Sequence, residues 1–262
     1  TFVAMDRKKL SELYDIEPPA ESNARESLVK EKMANAVLPD LSGRASVEAP
    51  LHDSLNARYV VHTHPAAVNG MTCAKNGAAV CAELFPDALW LDYIDPGYTL
   101  CMKVREEIMN YKSANGIEPS MIFLKNHGVF VSADSPDQIR ELYSGIMSKL
   151  NAKYQQAGIE IDFDVPPATV DIEKSKEKIL ASTGNPGLYI AAGGDFPVPG
   201  GPISPDHIVY SKSYMFVGQP TPEAVEQYKS KHGFLPQVFA FDGAVFGVAD
   251  SEKSAGLALE LA

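Results

Sequence analysis

The sequence predicts an α/β protein built in two parts, and three observations carry that prediction. Between Arg58 and Ala133, short apolar runs alternate with helical patterns. From Gly158 to Asp171 the segment GIEIDFDVPPATVD mixes carboxylates with a Pro pair and marks a connection, with a boundary between residues 166 and 167. Finally, residues 121–135, MIFLKNHGVFVSADS, are echoed at an offset of 116 by residues 237–251, QVFAFDGAVFGVADS.

Taken in order, Ser46 is the expected N-cap of a helix over VEAPLHDSL. A strand, RYVVHTH, follows, then helices in PAAVNGMTCA and AAVCAELF, and a strand in ALWLDYI. The tract Tyr93 to Thr99 opens a helix that runs through GYTLCMKVREEIMNYK. SMIFL and VFVSA flank a turn at Lys125-Asn126-His127-Gly128, where Gly128 is expected to supply a positive φ. Ser135-Pro136 sets a cap and an N1 proline before a long helix. The second part, 167–262, begins with a charged helix, DIEKSKEKILAS, and continues into NPGLYIAAGGDFPVPGGP, expected as a surface loop. Within it the echo suggests a degenerate repeat of residues 119–146, with Gly243 where the first copy has His127.

Composition narrows the function. The chain has 262 residues, 45% of them apolar, and a mean hydropathy of −0.12, as in a folded globular protein. A net charge of −11 argues against nucleic acid or an anionic membrane surface as partner. No apolar run is long enough to span a bilayer and TFVAMDRKKL lacks a signal-peptide core, so a cytoplasmic protein is expected. Cys73, Cys81 and Cys101 form no CxxC pair and are expected as reduced packing residues.

The chemistry lies in the histidines. In His62-Thr63-His64 the side chains of i and i+2 share one strand face about 6.6 Å apart, a natural two-ligand clamp. The other reading is one core and one solvated histidine. His127, at the end of a strand, is a third imidazole, and three neutral imidazoles suit zinc or another divalent ion with an open position. Glu48 is placed to act as base or exchangeable ligand, or to be a solvated carboxylate in a first helical turn. His52, four residues on, is expected to pack behind the site. His207 and His232 have no chelating spacing, and the glycines of 193–201 are not followed by the Lys-Ser or Lys-Thr of a phosphate loop.

Together, Ser46-x-Glu48-x-x-x-His52, His62-Thr63-His64-Pro65 and Lys125-Asn126-His127-Gly128 resemble the class II aldolase/adducin family over residues 1–157. The nearest likeness is to the aldolase portion of rhamnulose-1-phosphate aldolase/alcohol dehydrogenase fusions, although no G-x-G-x-x-G for a dehydrogenase portion occurs. The resemblance implies an αβα three-layer fold with a mostly antiparallel sheet, where strand–helix alternation alone suggests a parallel one. It implies His62, His64 and His127 as ligands of a divalent metal, usually zinc, with Glu48 as catalytic base. It implies a lyase acting on a ketose 1-phosphate through an enediolate, assembled as a homotetramer. Dehydratase, epimerase and decarboxylase chemistry on the same fold, and a non-catalytic oligomeric module, are the alternatives. Ser46 and Asn126 are the expected substrate contacts. Val47 stands where sugar-phosphate aldolases often have a second Ser, and the N-terminal Asn-x-Ser/Thr phosphate stretch is absent before Asp6. No tyrosine is matched to the family's proton donor. Tyr93 and Tyr98 are minor candidates for that role.

Overall fold

The computed structural model describes residues 3–39, 43–161 and 164–262, so Asp162 and Phe163 of the expected connection lie outside the described residues. The chain divides into two compact units, Thr1–Gly158 and Ile159–Ala262.

The first unit opens with α1 (Arg7–Ser11), a 3₁₀ turn (Glu12–Asp15) and α2 (Ser22–Ala36). Leu10, Leu13, Val29, Met33 and Ala36 pack there into a small helical core that also takes in the buried ring of Tyr98. Next come α3 (Ala49–His52), β1 (Tyr59–Thr63), α4 (Ala66–Thr72), α5 (Gly77–Leu84), β2 (Leu89–Leu91), α6 (Tyr98–Asn115), β3 (Met121–Leu124), β4 (Gly128–Ala133) and α7 (Pro136–Gln156). The strands form one sheet in the order β1-β4-β3-β2, antiparallel except for the β2–β3 pair, which is parallel and joined through α6.

The sheet's two faces follow the period of two. Ile122, Leu124 and Phe130 enter one core with Leu51, Leu55, Leu100 and Val104, from the α3 and α6 side. Phe123, Val129 and Val131 enter the other with Val68, Met71, Ile139, Ile146 and Leu150, from α4 and α7. Helices therefore cover both faces, giving three layers. Each fully buried side chain of this kind contributes about 1.5–3 kcal/mol.

Two local expectations change. The helix over 46–55 is a single turn, Ala49–His52, and it starts late because Pro50 has no amide hydrogen and is tolerated only in a first turn. Glu48 is its N-cap residue, with φ −92° and ψ 0°, and Ser46 Oγ instead accepts from the Glu48 amide at 3.2 Å. Ser135 caps α7 as expected, accepting from Gln138 N at 3.3 Å.

The second unit contains α8 (Ile172–Thr183), β5 (Tyr189–Gly193), a π turn (His207–Ser211), β6 (Phe216–Val217), α9 (Pro222–His232), β7 (Val238–Phe241), β8 (Ala244–Ala249) and α10 (Glu252–Glu260). β5 lies inside the stretch expected as a loop. Its residues Ile190, Ala191 and Ala192 pair with β8, and the Gly/Pro-rich tract begins only beyond them.

The sheet order β5-β8-β7-β6, with the same sequence of antiparallel, antiparallel and parallel pairs, matches that of the first unit. The matching hairpins differ by one residue. Leu124 faces Gly128 across three turn residues, whereas Phe241 faces Ala244 across two, Asp242 and Gly243, both at positive φ. Phe239, opposite Phe246, consequently occupies the place of Ile122, opposite Phe130, and not that of Phe123. Among the described residues no helix is long and apolar enough to cross a membrane.

Gly247 lets α10 lie directly on β8. A Cβ there would come 2.1 Å from Ala255 O and 2.5 Å from Leu259 N. Gly247→Ala is expected to cost the second unit about 2–3 kcal/mol, visible in urea unfolding. An unchanged midpoint would contradict this packing.

Candidate metal centre

Strand geometry aims the clamp. His62 lies opposite Phe130, so it shares the sheet face that α3 covers, and Thr63 points the other way, to Tyr143 of α7. β1 ends at Thr63, and His64 follows just before Pro65, the N-cap of α4. Glu48 leads into α3 on the same face, and His127 closes the β3–β4 turn.

Four donors converge. His62 Nε2 lies 2.8 Å from His64 Nε2 and 3.3 Å from His127 Nε2. Glu48 Oε1 lies 3.1 Å from His127 Nε2 and 3.3 Å from His62 Nε2. All four ligand atoms fall within 4.8 Å of one another. A tetrahedral ion with ligands at about 2.05 Å sets its donors about 3.3 Å apart, so these residues fit a divalent cation.

Protonation supports the fit. His62 Nδ1 is 3.0 Å from the Val129 carbonyl, which only accepts, so the proton sits on Nδ1 and the Nε2 lone pair faces the cluster. The His62 ring stacks on Phe130, with centroids 3.9 Å apart and planes 9° apart, which fixes its rotation. Burial pushes the Glu48 carboxyl up, but the adjacent His127 and His62 rings outweigh it and hold Glu48 well below the usual carboxylate range. It is ionised at neutral pH.

A sequence profile described as Class II Aldolase and Adducin N-terminal domain matches residues 17–146, which contain the whole cluster. Residues 17–146, within the first unit, form a domain of the class II aldolase and adducin family. A curated relative, the Bacillus subtilis (strain 168) protein named uncharacterized oxidoreductase YuxG, is 28% identical over 98 residues. That match covers 37% of this chain but only 14% of the relative's length.

Two solved structures are also similar. One is the N-terminal class II aldolase domain of a conserved protein from Thermoplasma acidophilum, at 20% identity and TM-score 0.47, covering 58% of this chain and 65% of that one. The other is an aldolase II superfamily protein from Pseudomonas syringae, at 16% identity and TM-score 0.33, covering 44% and 45%.

Of the residues singled out in the sequence, Glu48, His62, His64 and His127 come together. His52 stays outside the ligand group. Its Nδ1 donates to Val60 O at 3.0 Å and its ring meets Phe130 edge-on; burial lowers its pKa, keeping it neutral. Ser46 is occupied at the Glu48 turn. Asn126 adopts the left-handed φ of 57° expected of Gly128; its amide donates to Thr72 O and its side chain bonds the Cys73 thiol. The Tyr98 hydroxyl donates to Leu13 O, and that of exposed Tyr93 to Asp95. In the second unit His207 bonds Ser204, and His232 packs between Tyr214 and Tyr228.

Phe130, Val129 and Tyr143 were not singled out from the sequence. Their roles depend on strand register and helix placement, so the local sequence carries no signal for them.

Gly128 matters for space. A Cβ there would lie 2.5 Å from His64 Cδ2 and 2.6 Å from Thr63 O. Gly128→Ala is expected to displace His64 and weaken metal binding roughly 10–100-fold while leaving the circular dichroism spectrum intact. Competition against a chromophoric chelator measures it, and parent-like affinity would contradict the crowding.

Proposed function

We propose that the chain is a divalent-metal-dependent lyase of the aldolase type, cleaving or forming a ketose 1-phosphate. The observation that carries this reading is the convergence of three imidazole Nε2 atoms and one ionised carboxylate on one point. His62, His64 and His127 would hold the ion, zinc in this reading. The ion would supply Lewis-acid stabilisation to negative charge developing beside a ketose carbonyl, as in an enediolate.

Glu48 takes up or returns the proton. It is ionised, and it sits at the cluster's more open side, with 27% of its side-chain surface exposed against 3% for His62 and 6% for His127. Phe130 and the Val129 carbonyl keep the His62 ring and tautomer fixed. Ser46 and Asn126 are proposed as contacts to the substrate. The reading further takes the protein to be a cytoplasmic homo-oligomer, a tetramer by analogy with its family, with a small sugar phosphate as substrate.

Elemental analysis of protein purified without added metal should find about one divalent ion per chain, lost in His127→Ala. Glu48→Gln should retain the ion and lose turnover roughly a hundredfold or more when ketose 1-phosphates are assayed for release of dihydroxyacetone phosphate. Equal loss of metal in both variants would make Glu48 a ligand and not the base. Metal binding without carbonyl chemistry would point to a non-catalytic module, and a single dehydrated, epimerised or decarboxylated product would replace the aldolase assignment.

A further inference from the structure

A second cluster in the first unit has no part in the metal centre. A cleft of about 380 Å³ is lined by three cations, Arg7, Arg105 and Lys112, and by two acids, Asp53 and Glu118. Both acids are already committed. Asp53 accepts from the Tyr14 hydroxyl at 2.7 Å and from Arg7 Nε. Glu118 accepts from the Asn56 amide at 2.9 Å, from Asn56 Nδ2 at 2.6 Å and from Lys112 at 3.1 Å.

Arg105 is different. Its guanidinium lies over the Tyr14 ring, with Cζ 3.4 Å from the centroid, and among the described residues it has neither a carboxylate nor a hydrogen-bond acceptor. Arg105 is half-buried, and stacking occupies the face of its guanidinium while leaving the N–H edge open to the cleft for a ligand. The Arg7–Asp53–Tyr14 chain holds the stacking ring in place, so the donor edge is preorganised. Ile108 and the exposed Met109 give the cleft an apolar wall, which suits an organic ligand better than a bare inorganic ion. This excess of cations occurs in a chain of net charge −11.

We propose that this cleft is a second ligand site, separate from the metal centre, that takes a small organic dianion with its charged end on Arg105 and with Arg7 and Lys112 beside it. A phosphate monoester and a dicarboxylate share the required chemistry, and the test separates them. Glycerol phosphate and succinate are titrated calorimetrically into the full chain after dialysis free of metal.

The expected result is saturable binding of at least one probe, the tighter naming the headgroup. Arg105→Ala should weaken it roughly tenfold or more and His127→Ala should leave it unchanged, so the outcome is independent of the lyase reading. Arg7→Ala, a mostly exposed change that keeps the fold, should weaken binding roughly threefold. Saturation by neither probe up to about 10 mM would overturn the proposal, as would unchanged affinity in Arg7→Ala or in folded Arg105→Ala.

Discussion

Most of the candidate centre depends on the pairing of β1 with β4, in which His62 stands opposite Phe130. Side chains alternate along a strand, so a slip of one residue would turn the clamp toward Tyr143 and put Thr63 in its place. The same pairing brings the Val129 carbonyl to His62 Nδ1, lays Phe130 under the imidazole and sets Gly128 against His64. One ladder of backbone hydrogen bonds thereby determines the direction, tautomer and spacing of the ligands. Buried apolar residues on both faces of the sheet make the slipped register costly, so the core enforces the site.

The cluster itself adds little to stability. Two imidazole nitrogens 2.8 Å apart repel when both present lone pairs, and a cation or proton between them removes that repulsion. The Glu48 carboxylate brings a further electron-rich oxygen to 3.1 Å and 3.3 Å from two of the ring nitrogens, so the group as a whole is arranged for a cation. Such arrangements persist where surrounding structure over-determines them. Here Tyr143 and Tyr154 of α7 do so from behind, bonding Thr63 Oγ1 and the Ala67 carbonyl and tying down the strand end and the helix that follows the clamp.

How much was legible in the sequence varied with the range of the interaction. The clamp could be read because the strand period is local, and His127 because a turn between two apolar runs places it at a strand end. The α/β order and the capped helix at Ser135 were readable for the same reason. Pro50 shortened a helix that the apolar pattern extended, moving Glu48 from a helical position to an N-cap. The positive φ fell on Asn126, whose side chain and amide are held by Cys73 and Thr72, whereas Gly128 was needed for its missing Cβ. Neither partner is near in sequence. Phe130 beneath His62 and Arg105 over Tyr14 likewise arise from contacts between distant segments, which no local pattern encodes.

The one-residue difference between the two hairpins reaches beyond geometry. Where the first unit has His62 opposite Phe130, the second has Ala192 opposite Phe246, and its turn has no residue in the place of the third ligand. Replacing Gly243 with histidine would put an imidazole on a turn of different length and type, at a φ of 77° that disfavours a side chain. Point substitution alone therefore gives the second sheet no short route to a metal centre. A lengthened turn would have to come first, and the two sheets, alike in topology, are separated by a step of a different mutational kind.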